Sequence, residues 1–209
     1  PLAKRARKKQ PPPGSEVSSV RLLLAVLMGT SLASVHATEG YVASVQPLAT
    51  QAGLDALKAG GNAIDAAAAV ALTLGVVDGH NSGIGGGCFF LARLANGTFV
   101  AIDGRETAPA KAMRDMYLKD GKPVSDLSKT GPLASATPGA LAVYEEAVRK
   151  HGKLPFAKAL EAGIRHAEEG FAIDRVYAKK LAGQATNLAL FPASKAIFLK
   201  ADGSPYLEG

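Results

Sequence analysis

The chain has 209 residues, enough for one ordinary domain. It is 47% hydrophobic and 20% charged, which permits a buried core and excludes a wholly disordered chain. The formal net charge of +6 is gathered at the front, where Lys4, Arg5, Arg7, Lys8, Lys9 and Arg21 stand against Glu16 alone. The body that follows is close to neutral and carries no charge excess suited to nucleic acid.

The basic front leads into an apolar run at 22–35 and then Val-His-Ala at 35–37. Val35 and Ala37 are small residues at the spacing a signal peptidase accepts. Residues 1–37 therefore read as a signal peptide cleaved after Ala37, and 38–209 as a periplasmic or secreted domain. The apolar run is shorter than the ~20 residues of a membrane span, so no membrane association is expected after cleavage. Cys88 is the single cysteine, which rules out an internal disulfide and reads as a small core residue. His36, His80, His151 and His166 are scattered, with none of the spacings that hold a metal.

In chain order, 41–45 alternates as a strand does, and 47–59 reads as a helix stopped by Gly60-Gly61. Asn62 is a candidate N-cap with Asp65 favourably placed on the helix dipole. The run from Ala63 to about Val76 is Ala, Val and Leu nearly throughout, which predicts a helix buried all round. Two apolar runs around Asn96-Gly97 predict a β-hairpin. Residues 108–136 read as irregular, with one helical turn near 112–118. Helices are expected at 138–150, capped by Thr137 with Pro138 in its first turn, and at 155–169, with a stripe of Phe156, Leu160 and Ile164 and a stop at Gly170. A third helix is expected after Asp174, and 195–203 reads as a strand and turn.

The glycines at 83–87 do not form a nucleotide site. No Lys and Ser/Thr follow at phosphate-loop spacing, Cys88 takes the third glycine position of a dinucleotide fingerprint, and the cluster runs from helix to strand rather than the reverse. Gly85, Gly86 and Gly87 are expected to serve close packing or positive φ. Ser82 and Ser128 lie in loops with no neighbouring base, and no Gly-x-Ser-x-Gly elbow occurs. Arg105, at the end of the second hairpin strand, is by residue type either a solvated surface charge or a group aimed at a carboxylate.

Four blocks together, at 49–77, 82–91, 101–112 and 136–173, resemble the front part of a gamma-glutamyltransferase, also called gamma-glutamyl transpeptidase or glutathione hydrolase. The resemblance covers nearly all of the chain after the leader. It implies an α+β fold of the N-terminal nucleophile hydrolase type, a four-layer α-β-β-α sandwich, present here only in part. It implies a precursor that cuts itself into large and small subunits, with the new N-terminal Thr of the small subunit as nucleophile and its own α-amine as base. It implies glutathione or another γ-glutamyl compound as donor, water or an amino acid or peptide as acceptor, and no cofactor. Arg105 matches the arginine that binds the α-carboxylate of the glutamyl group, a role suited to a planar guanidinium. Glu106 is the weaker site candidate, and Asp103 and Glu106 are both placed to hold the guanidinium.

The sequence departs from the family in having Cys88 where the glycine run commonly continues, and Gly104 where a larger residue often precedes the arginine, which is expected to loosen the pocket wall. No catalytic residue is assigned within the chain. The processing Thr and the small-subunit glycines and serines are expected beyond Gly209, so these residues by themselves are expected to be inactive. Two other readings use the same residues: a related acylase cutting a glutaryl or cephalosporin side chain, and a truncated non-catalytic binding protein.

Overall fold

The helix of small apolar residues predicted from Ala63 is the centre of the molecule. The computed structural model describes residues 40–209; the predicted signal peptide at 1–37 lies outside them. In chain order the elements are α1 (Pro47–Lys58), α2 (Ala63–Val77), β1 (Cys88–Arg93), β2 (Phe99–Gly104), β3 (Leu118–Lys119), β4 (Lys122–Pro123), α3 (Ala140–His151), α4 (Phe156–Glu169), α5 (Arg175–Ala189) and α6 (Pro192–Phe198). Two short 3-10 turns, Ser125–Ser128 and Pro132–Ala134, lie between β4 and α3.

Helix α2 buries Ile64, Ala66, Ala68, Ala69, Leu72 and Val77. Its small side chains let neighbours approach closely: a Cβ on Gly53 of α1 would lie 2.6 Å from Val70 Cγ2, and one on Gly163 of α4 would lie 3.1 Å from the Leu72 carbonyl oxygen. The core joins these helices to Phe90 of the hairpin and to Val143, Ala147 and Val148 of α3. Each such side chain removes apolar surface from water at about 25 cal/mol per Å².

The start of α2 is tied down by two side chains. Asn62 accepts from the Ile64 and Asp65 N–H groups, while Asp65 Oδ2 accepts from the Asn62 N–H at 2.8 Å, a complete capping box. Asp65 does more than meet the helix dipole. It is 2% exposed, and its carboxylate also accepts from the Lys153 N–H at 2.9 Å and the Leu154 N–H at 3.2 Å, in the turn after α3. Asn62 Nδ2 donates to the His151 carbonyl at 2.7 Å in the same turn.

β1 and β2 form the antiparallel hairpin expected from Asn96-Gly97, with Cys88 opposite Gly104 and Arg93 opposite Phe99. The Gly97 N–H donates to the Leu94 carbonyl, and Gly97 sits at φ +87, a conformation that glycine reaches without a Cβ clash. Phe90 and Ile102 face the core, whereas Phe89, Leu91 and Phe99 on the other face are 71%, 73% and 70% exposed.

Several expectations are corrected. Residues 41–45 form no strand, because no strand lies beside them among the described residues; Tyr41 and Val45 are exposed, and Val42 packs near α1. The helix expected at 138–150 begins at Ala140, with no side-chain cap. Thr137 is held in a β-bridge to Thr107, so its backbone is committed elsewhere. In the stripe expected on α4, Phe156 and Leu160 pack against the core as expected, but Ile164 is half exposed and the fully buried residues are Ala159 and Gly163. The stretch expected as a strand near 195–198 completes α6, which Pro192 starts in its first turn; only Leu199 makes a bridge, to Pro205. Gly170 ends α4 at φ +80 and α5 begins after Asp174, both as read from the sequence; the structure adds that Asp174 caps α5 by accepting from the Tyr177 N–H.

Candidate functional site

The end of β2 is held by three glycines from three parts of the chain. A Cβ on Gly87 would lie 2.6 Å from the Gly104 carbonyl oxygen and 2.8 Å from the Glu106 nitrogen. A Cβ on Gly139 would run into the same Gly104 carbonyl oxygen and lie 3.2 Å from that of Arg105. The Gly86 carbonyl accepts from both the Gly139 and Ala140 N–H groups at 3.1 Å, and so supplies the cap that α3 lacks from a side chain. None of Gly85, Gly86 and Gly87 adopts positive φ. Gly87 serves close approach, one of the two roles expected of the cluster.

This lock places Arg105 immediately beyond the strand. The Arg105 N–H donates to Asp103 Oδ1 at 2.9 Å, so Asp103 fixes the backbone turn rather than the guanidinium. Glu106 does face the guanidinium: its Oε2 lies 3.3 Å from Arg105 Nη1. Its carboxyl is held below the usual value, first by its own backbone N–H, then by Arg105 and the Gly87 N–H, against an opposing effect of burial. Glu106 is therefore ionised at neutral pH. The Arg105 side chain remains 60% exposed, with its donors not exhausted by this one contact.

Arg105 lines two hollows. One, of about 400 Å³, runs between the β2 end and the start of α3, past Thr137, Val143 and Glu146. The other, of about 590 Å³, is lined by Gly85, Arg105, Glu106, Lys129, Ser135 and neighbouring loop residues. Lys129 lines this hollow, and the sequence did not single it out. It lies in the irregular 108–136 region, where no periodicity announces which way a side chain will come to rest.

The two departures from the family pattern have structural answers. Cys88 turns toward α3, where burial and then the Cys88 thiol push the Tyr144 phenol up to about 12. Gly104 is buried, and a Cβ there would collide with Val143 Cγ2. The space is thus taken by Val143, and the wall is closed rather than loosened. Ser82, Asp78 and His80 also come together, but Asp78 is in the middle: Ser82 Oγ reaches Asp78 Oδ2 at 3.3 Å and His80 Nε2 reaches Asp78 Oδ1 at 3.3 Å. The serine hydroxyl meets a carboxylate and not the imidazole, so the three do not form a nucleophile–base relay.

Gly139→Ala is expected to cost about 1–3 kcal/mol, because the new methyl meets backbone atoms that cannot swing aside. Denaturant midpoints measure this. An unchanged midpoint would show that β2 and the α3 start do not touch as described.

Comparison with known proteins is consistent with this geometry. The sequence model for Gamma-glutamyltranspeptidase matches residues 49–209. A Glutathione hydrolase proenzyme of Escherichia coli (strain K12) is 45% identical over 177 residues, covering 84% of this chain and 30% of the relative. The crystal structure of Helicobacter pylori gamma-glutamyltranspeptidase superposes with a TM-score of 0.78 at 39% identity, covering 81% of this chain and 49% of that one. An Acylase ACY 1 proenzyme of Pseudomonas sp. (strain V22) is 40% identical over 179 residues, covering 82% of this chain and 32% of the relative. The chain belongs to the gamma-glutamyltranspeptidase family, an enzyme family whose similar proteins include glutathione hydrolase proenzymes. It spans about a third of the length of the curated relatives it matches.

Proposed function

We propose that these residues are part of the large subunit of an exported gamma-glutamyltransferase, which hydrolyses or transfers the γ-glutamyl group of glutathione and related amides. The observation that carries this reading is Arg105, a guanidinium projecting from a locked strand end into a polar hollow, with donors left for a carboxylate. In the proposed reaction Arg105 grips the α-carboxylate of the glutamyl group by parallel hydrogen bonds. Glu106 keeps the guanidinium oriented. The N-terminal Thr of a small subunit cut from the same precursor attacks the γ-amide, a γ-glutamyl ester forms as the amine leaves, and water or an amine acceptor then takes the glutamyl group.

The leader pattern at 1–37 supports export to the periplasm or beyond the cell. The exposed apolar face of Phe89, Leu91 and Phe99 supports a further layer over the hairpin, as in a four-layer sandwich. The likeness to a Pseudomonas acylase favours a second reading, in which the same arginine holds the terminal carboxylate of a glutaryl side chain. The test is turnover of glutathione against a glutaryl amide by the full-length protein. Release of glutamate from glutathione supports the first reading. Cleavage of the glutaryl amide alone supports the second, and cleavage of neither overturns both.

A further inference from the structure

Lys129 lines the same polar hollow as Arg105. Lys129 follows the 3-10 turn Ser125–Ser128, and its backbone N–H donates to the Asp126 carbonyl at 3.1 Å, which closes that turn. Among the described residues, the Lys129 ammonium makes no ion pair, whereas Arg105 already shares Glu106. The lining of the hollow thus offers two cations to one carboxylate, with an uncommitted charge at Lys129. A ligand that brings one carboxylate to Arg105 leaves the ammonium free to meet a second anionic group.

We infer that Lys129 is a specificity-determining residue, selecting γ-glutamyl donors whose leaving amine carries its own carboxylate over donors whose leaving amine is neutral. This rests on the γ-glutamyl reading given above. Lys129 is a positioning contact for the donor and takes no part in bond making. The contact is solvent-accessible, so its effect is modest and weakens with salt.

The decisive comparison uses γ-glutamyl-glycine and γ-glutamyl-glycinamide, which differ only in the terminal carboxylate, with the full-length enzyme containing these residues. The expected result is a preference for the acid of about three- to tenfold in kcat/KM, expressed mainly in KM. K129M should abolish that preference, K129R should retain it, and K129E should reverse it. A preference indifferent to K129M, with both donors turned over, overturns the role of Lys129 and leaves the γ-glutamyl reading intact. Turnover of neither donor overturns the γ-glutamyl reading and this inference with it.

Discussion

Replacing Asp65 by Ala is expected to cost about 3 kcal/mol or more of folding stability. The carboxylate is 2% exposed and accepts from the N–H groups of Asn62, Lys153 and Leu154. Removing it leaves donors in a part-buried turn with no acceptor, and a buried N–H without a partner costs about 1–3 kcal/mol. The loss is not confined to the α2 cap, which alone is worth about 1 kcal/mol. It also releases the Gly152–Pro155 turn that joins α3 to α4, both of which contribute to the core. Asp65→Asn keeps one carbonyl acceptor and is expected to lose less. Unfolding by denaturant, followed by helical signal, separates the two: an Asp65→Ala loss no greater than that of a surface N-cap would mean that the contacts across 88 residues contribute nothing.

The second large effect falls on activity. Arg105→Lys in the full-length enzyme is expected to lower kcat/KM for glutathione by a factor corresponding to about 1–3 kcal/mol. The charge is kept, but the planar fork that matches a carboxylate is lost. Since Arg105 is 60% exposed and, among the described residues, its side chain pairs with its neighbour Glu106 alone, its replacement should leave the unfolding midpoint nearly unchanged. That split marks a binding group. Glu106→Gln is expected to give a smaller loss, because it removes the partner that orients the guanidinium and not the guanidinium itself. Unaltered glutathione kinetics in Arg105→Lys would remove Arg105 from the site.

The two effects differ in how far ahead they were readable. Arg105 follows an apolar strand in a block that resembles one family, and its position at the strand exit was evident from order along the chain. Asp65 was readable only as a favourable charge near a helix start. Its larger role depends on Lys153 and Leu154, which no spacing rule connects to it.

Features governed by a few consecutive residues were legible from the sequence alone. Asn62 caps a helix, Gly97 turns a hairpin and Gly170 ends a helix because each acts on backbone groups within about four positions. The composition of α2 declared a buried helix, since no other environment suits 15 residues with so little polar surface. Tertiary structure decided what depends on a distant partner. Residues 41–44 are not a strand, for a strand exists only where another pairs with it. Thr137 does not cap α3, because Thr107 holds its backbone and the Gly86 carbonyl meets the helix instead. Gly139 is a glycine because two backbones meet there, Gly104 because the Val143 side chain fills the space, and Lys129 lines the same hollow as Arg105 because a loop distant in sequence contributes to it. Local bonding is written in adjacent residues, whereas packing distances and cavity linings arise only when separate segments occupy the same space.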